Sequence, residues 1–108
     1  MDIRIRYQGV EGSPWMKQYM ERQIERLDRY LSTGTVIFIE LIHGPVSSCS
    51  NLRIQSHKKS FSFEGCGGDV FEAFTKTLEE ACRLMKLEHK RQLSRFHQRL
   101  FFTEAVDE

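Results

Sequence analysis

The sequence predicts an α+β domain of order β-α-β-β-β-α: a four-stranded sheet with two helices packed on one face. Three observations carry this. Ile3 to Tyr7 alternates apolar and basic residues strictly, the period of a half-buried strand. From Pro14 to Leu31, and again after Asp69, apolar residues recur at helical spacing. Between those helices lie three short runs that are β-branched, aromatic or alternating. Helices with one apolar stripe and strands with one apolar face bury both most simply as two layers.

In the first strand Ile3, Ile5 and Tyr7 share one face, with Arg4 and Arg6 on the other. Ser13-Pro14 then starts a helix, a hydroxyl for the cap and a proline where its missing N–H costs nothing. Met16, Met20, Ile24, Leu27 and Leu31 continue the stripe, flanked by Tyr19, Gln23 and Tyr30, and Ser32-Thr33-Gly34 ends it. Val36 to Ile42 is the second strand, bounded by Gly34 and Gly44-Pro45. Val46 to Asn51 reads as a small-residue loop. Leu52 and Ile54 then alternate with Arg53 and Gln55, as Phe61 and Phe63 do with Ser62 and Glu64. A tight hairpin at His57-Lys58-Lys59 joins these two strands. Gly65-Cys66-Gly67-Gly68 reads as a flexible turn leading to Asp69 as the cap of the last helix.

That helix has the clearest pattern. Phe71, Phe74, Leu78, Ala81 and Met85 form its apolar stripe, with Cys82 beside them. Lys76, Arg83, Lys86 and Lys90 gather on another flank, about 80–160° away. The stripe runs on through Leu93, Phe96 and Leu100. A helix from Val70 to Leu100 would be about 45 Å long, against about 20 Å for a six-residue strand. Its end must therefore overhang the sheet. Either the chain bends back to bury Phe96, Leu100, Phe101 and Phe102, or these residues dock on something else, a second copy included.

With 108 residues there is room for a single core. The division expected is one domain over 1–100 and a short acidic tail over 101–108. The longest apolar run, Val36 to Ile39, is far too short to span a membrane, and the N-terminus has no signal-peptide pattern, which makes the cytoplasm the expected compartment. Three widely spaced cysteines argue against a disulfide framework. Glu104, Asp107 and Glu108 hold three of the 15 acidic groups, so residues 1–103 carry 16 basic against 12 acidic side chains. Between Arg83 and Leu100 six basic residues face a single acid, Glu88.

Little in the chain suggests catalysis, metal binding or a cofactor. The histidines and cysteines form no C-x-x-C or H-x-x-x-H set. Gly65 to Asp69 lacks the Lys and Ser/Thr of a phosphate loop. An enzyme with no glycine-framed nucleophile turn would have to rely on the thiol of Cys66 or Cys49. Cations are more suggestive. Lys17, Arg22, Arg26 and Arg29 lie on the first helix, the last three at i, i+4, i+7, although Glu21, Glu25 and Asp28 interleave and Glu25 can pair with Arg29. Two basic helix flanks on one side of a small sheet could straddle a phosphate backbone, each cation displacing a counterion without reading sequence. The strands show no aromatic pattern of the RNA-recognition type.

At this point the residues resemble a known family, the ribosome hibernation-promoting factors and ribosome-associated inhibitors, also called sigma-factor modulation proteins. SPWMKQYMERQIERLDRYL is similar to that family's first helix, and Asp69-Val70-Phe71-Glu72-Ala73-Phe74 to the start of its second, with Arg83 at the site of a family arginine. The likeness covers residues 1 to 91. It implies binding to ribosomal RNA of the small subunit, in the cleft where mRNA and tRNA anticodons sit, and inhibition of translation in starved cells by occlusion. By position it implies Lys17, Arg26, Arg29 and Arg83 as RNA contacts, with Lys86 and Lys90 close to further ones; Arg22 and Lys76 join them from the helical projection. Gln23, Glu80 and Leu87 depart from positions that are often basic in the family, and Glu79 sits within the basic flank. The chain resembles a short form, without the family's C-terminal dimerisation domain. The alternative expectation is a divergent member that serves as a protein-interaction or dimerising module through its apolar end.

Overall fold

The computed structural model describes the backbone of residues 2–57 and 59–107, and side chains within that range up to Arg95. The order along the chain is β1 (Asp2–Gln8), α1 (Pro14–Ile24), a 3₁₀ helix (Glu25–Tyr30), β2 (Val36–His43), β3 (Ser48–Gln55), β4 (Ser60–Gly67) and α2 (Val70–Asp107). The sheet order is β1-β2-β3-β4. β1 and β2 are parallel across the first helical connection, and the remaining pairs are antiparallel. The expected α+β fold is what forms.

Alternation sets which face is covered. Ile37, Ile39, Leu41, Leu52, Ile54 and Phe63 point to the helices and are nearly inaccessible, as are Met20, Ile24 and Leu27 below and Phe74, Leu78 and Met85 from α2. Ser13 caps α1 by accepting from the Met16 amide at 3.1 Å. Asp69 caps α2 by accepting from Glu72 at 2.8 Å, and the Glu72 carboxylate accepts in turn from the Gly68 amide at 3.1 Å. That reciprocal pair satisfies amides a helix start would otherwise leave bare.

Four expectations need correction. First, the opening helix is not α-helical to Leu31; from Glu25 it tightens to 3₁₀. At three residues per turn Ile24, Leu27 and Tyr30 line up against α2, and Tyr30 meets the His89 ring edge-on at 5.7 Å. Second, the small residues 48–51 and 65–67 are strand, not loop or turn. Their smallness lets α2 sit close. Thr77 Oγ1 donates to the Ser50 carbonyl at 3.2 Å, and a Cβ on Gly65 would lie 2.6 Å from that same oxygen.

Third, the β3–β4 register sets Cys49 directly opposite Cys66, and their sulfurs are bonded. Widely spaced in sequence, the two thiols become neighbours because β3 begins earlier than alternation reveals. Cys82 remains as a free, half-buried thiol. Fourth, α2 does not bend back: it is continuous to Asp107. Residues 69–108 contain no Gly or Pro to break it. Its buried residues end at Met85, and residues 90–95 are all exposed, so the helix overhangs the sheet. The side chains of Phe96, Leu100, Phe101 and Phe102 lie outside the described residues. None of the described helices is long and apolar enough to cross a membrane.

Candidate nucleic-acid interface

Two surfaces carry basic side chains, and their electrostatics differ. On the bare face of the sheet, Arg4 and Arg53 hold their guanidinium carbons 5.6 and 4.6 Å from the Phe38 ring centre. A shallow groove of about 490 Å³ runs here, with Arg6, Glu40, Asn51 and Glu64 also in its lining. Its charges cancel. Arg4 pairs with Asp2 at 3.1 Å, Arg6 reaches Glu40 at 3.8 Å, and Glu64 lines the same groove as Arg53. A polyanion gains little from a balanced surface.

The helical layer is different. Arg22, Arg26 and Arg29 are all exposed, and among the described residues none forms an ion pair. The 3₁₀ winding explains why the expected Glu25–Arg29 pair does not form. In an α-helix residues four apart stack, whereas here residues three apart do, so Arg29 aligns with Arg26. Arg29 rests instead over the Tyr30 ring at 5.2 Å. Both guanidinium groups lie beside the seam with α2, close enough for their fields to act on Cys82. Burial pushes that thiol up from its ordinary value, outweighing the lowering influence of Arg26 and Arg29.

Across the seam α2 presents Lys86 and Lys90, exposed and likewise without an acid partner among the described residues. Arg83 is engaged. Its guanidinium donates to both Glu80 oxygens, at 2.7 and 3.3 Å, which holds the arginine still more firmly protonated. Lys76 is turned toward β4, where its Nζ meets Glu72 at 3.2 Å and donates to the Cys66 carbonyl at 3.2 Å. The Gly68 amide first, and then Lys76, hold the Glu72 carboxyl below its usual range. Lys17 stands apart on α1. It reaches Glu21 at 3.9 Å on the flank nearest β1, where burial and then the Glu21 charge raise the Tyr7 phenol. The one acid of the basic stretch, Glu88, is taken up by Lys59 of the hairpin and by Arg91 at 3.7 Å.

The structure therefore brings Arg22, Arg26, Arg29, Lys86 and Lys90 onto one outward surface and sets Lys17 and Lys76 at its margins. It adds a feature that sequence reasoning missed. Trp15, 62% exposed, stacks on Tyr19 with ring centres 5.8 Å apart, and both meet the edge of Phe71, at 5.6 and 5.7 Å. The available signal was spacing: Trp15, Tyr19, Arg22 and Arg26 fall at i, i+4, i+7 and i+11, one side of a helix. The Cys49 and Cys66 sulfurs are bonded to each other, and no three His, Cys, Asp or Glu side chains gather as metal ligands among the described residues.

A family model described as sigma 54 modulation protein / S30EA ribosomal protein matches residues 3–100. No curated protein sequence matches the chain. Among solved structures, the N-terminal domain of Protein Y from Thermus thermophilus superposes with a TM-score of 0.73 at 17% identity, over 80% of this chain and 97% of that one. A ribosomal subunit interface protein from Coxiella burnetii gives 0.70 at 14% identity, over 82% and 97%. At such identities the likeness establishes a shared fold.

Proposed function

The chain belongs to the sigma 54 modulation protein / S30EA ribosomal protein family, and from that premise we propose that it binds the small ribosomal subunit. The helical layer lies against ribosomal RNA in the cleft used by mRNA and tRNA anticodons. Occupancy silences translation in stressed cells by exclusion alone, in the cytoplasm, without a chemical step, a cofactor or a small-molecule substrate. The observation that carries this reading is the row Arg22, Arg26 and Arg29, exposed, free of acid partners among the described residues and flanked across the seam by Lys86 and Lys90. Free cations gain the full benefit of releasing condensed counterions from RNA. The paired ones contribute too. Arg83 and Glu80 are both about half exposed, so water screens their attraction and a phosphate can take Glu80's place.

The test is co-sedimentation with isolated small subunits. Wild-type protein should pellet with them, and should be released as salt rises. A variant with Arg26→Glu and Lys86→Glu should stay in the supernatant. Binding that survives both treatments would dispose of the RNA-cleft reading.

A second reading, self-association through the end of α2, draws on Leu87 and Leu93, each 48% exposed where the helix leaves the sheet. Light scattering on wild type and on a Phe96→Asp, Leu100→Asp variant decides it; a monomer in both removes the dimer.

A further inference from the structure

The cation row accounts for phosphate binding but leaves the aromatic cluster at its head without a task. Tyr19 and Phe71 are half buried, and closing the space between the starts of α1 and α2 explains them. Trp15 is not explained that way. It adds a large ring on top of an already closed seam and leaves 62% of itself in water. The ring is nevertheless held firmly, lying nearly parallel to Tyr19 (15° between planes) and meeting Phe71 at 65°. A flat, fixed, amphipathic surface of this kind is what an unstacked nucleobase pairs with, whatever its identity.

Charge selects the occupant. Trp15 lies on the same side of α1 as Arg22, about 10 Å along the axis, with Arg26 following in the 3₁₀ turns. A base resting on the indole thus leaves its own strand's phosphates within reach of free guanidinium groups. A protein partner with an apolar anchor would have to desolvate those cations without neutralising them. We propose that Trp15, supported by Tyr19 and Phe71, is a stacking shelf for an unpaired base of RNA, so that the helical layer binds a single-stranded or looped segment as well as phosphates. This deepens the ribosome-binding reading and rests on it for the identity of the RNA.

The chain's one tryptophan is Trp15, so its fluorescence reports on this site alone. Wild-type protein is titrated at low salt with single-stranded oligouridylate and with an RNA duplex of equal length. In parallel, wild type, Trp15→Leu and Arg22→Gln are sedimented with small subunits over a salt series. Saturable quenching by the single strand, with much less from the duplex, is expected. Trp15→Leu should weaken subunit binding roughly tenfold with the salt slope unchanged, whereas Arg22→Gln should lower that slope by about one. Matching thermal melts verify folding, as an exposed ring should allow. Subunit binding that Trp15→Leu leaves within about twofold overturns the shelf and spares the parent reading. Binding lost in that variant without quenching by RNA also overturns it, because Trp15 then meets ribosomal protein. Quenching without any subunit binding by wild type supports the shelf and removes the parent reading instead.

Discussion

The first helical segment carries four basic residues and α2 seven, but the two differ in how large a share meets an acid. In sequence α2 is the cationic one, with six basic residues against one acid between Arg83 and Leu100, while the first segment has acids threaded among its arginines. In the fold that difference narrows. Lys76, Arg83 and Arg91 on α2 are matched with Glu72, Glu80 and Glu88, which leaves Lys86 and Lys90, whereas on the first segment only Lys17 meets an acid and Arg22, Arg26 and Arg29 face solvent unmatched among the described residues. At Arg29 the winding decides. Regular α-helix brings residues three and four apart together, which sets Lys76, Arg83 and Arg91 beside acids of α2; the 3₁₀ turns separate Glu25 from Arg29 and line up Arg26 and Arg29 instead. Free charge, and not formal charge, is what a polyanion meets.

The sharpest way to break this contrast is to neutralise each set in turn. Arg22→Gln, Arg26→Gln, Arg29→Gln together should lower the slope of log affinity against log salt by about three, one for each phosphate left without its cation. Lys76→Gln with Arg83→Gln should lower it by less than about two, since each cation already has an acid neighbour. An equal loss of slope per cation removed in the two variants, measured by sedimentation over a salt series, would show that pairing is irrelevant.

A second change moves one helix and leaves the other. Gly65→Ala sets a methyl 2.6 Å from Thr77 Oγ1 and 3.0 Å from the Ala73 carbonyl, so α2 must lift from the sheet at its second turn. Overpacking of this kind destabilises by about 1–3 kcal/mol, readable by urea titration. Ser at position 65 should do the same. If Gly65→Ala unfolds at the wild-type midpoint, the close approach of α2 is not what requires small residues there.

Much of this fold was legible because its elements announce themselves. Strict alternation in Ile3–Tyr7 and the Ser13-Pro14 and Asp69 caps are local signals, and local physics honours them. What was hidden depends on partners far away in sequence. Ser48 to Asn51 looked like loop because small polar residues have weak strand preference; they are strand because β2 on one side and β4 on the other pair with them along their length. The Cys49–Cys66 pairing follows from that same extension of β3 and could not be seen without it. At the candidate interface, sequence reasoning found the arginines but misjudged which were occupied, because the switch to 3₁₀ comes from packing of Ile24, Leu27 and Tyr30 on α2.

If pairing governs α2, then releasing a paired cation should raise affinity. Glu80→Gln removes the charge and one of the two acceptor oxygens that hold Arg83. Because both partners are about half exposed, the gain should be modest, a few-fold at low salt and nothing at high salt, where screening has already loosened the pair. A gain that persists when Arg83→Gln is added would mean that Glu80 repels RNA directly and does not act through Arg83.

The smallest effect concerns the one α2 acid that, among the described residues, pairs across the fold. Glu88 is only 13% exposed and fastens α2 to Lys59 of the β3–β4 connection. The Lys59 hydrogen bond, with the Lys59 and Arg91 charges behind it, holds its carboxyl below the ordinary glutamate value of 4.5 despite its burial. A depressed carboxyl pKa stabilises the fold above the unfolded-state value, and that contribution disappears as pH falls through the folded one. The Lys59 bridge should therefore be fully present at neutral pH and fail only in acid, below the usual glutamate range. Glu88→Gln should lower stability at about pH 7 by under about 1 kcal/mol and converge with wild type in acid, once the folded carboxyl is protonated. Melts that stay apart at acid pH would place the effect in packing at Glu88, not in its charge. The contrast would then need redrawing, because α2 would be fixed to the sheet by shape and only its outward cations by pairing.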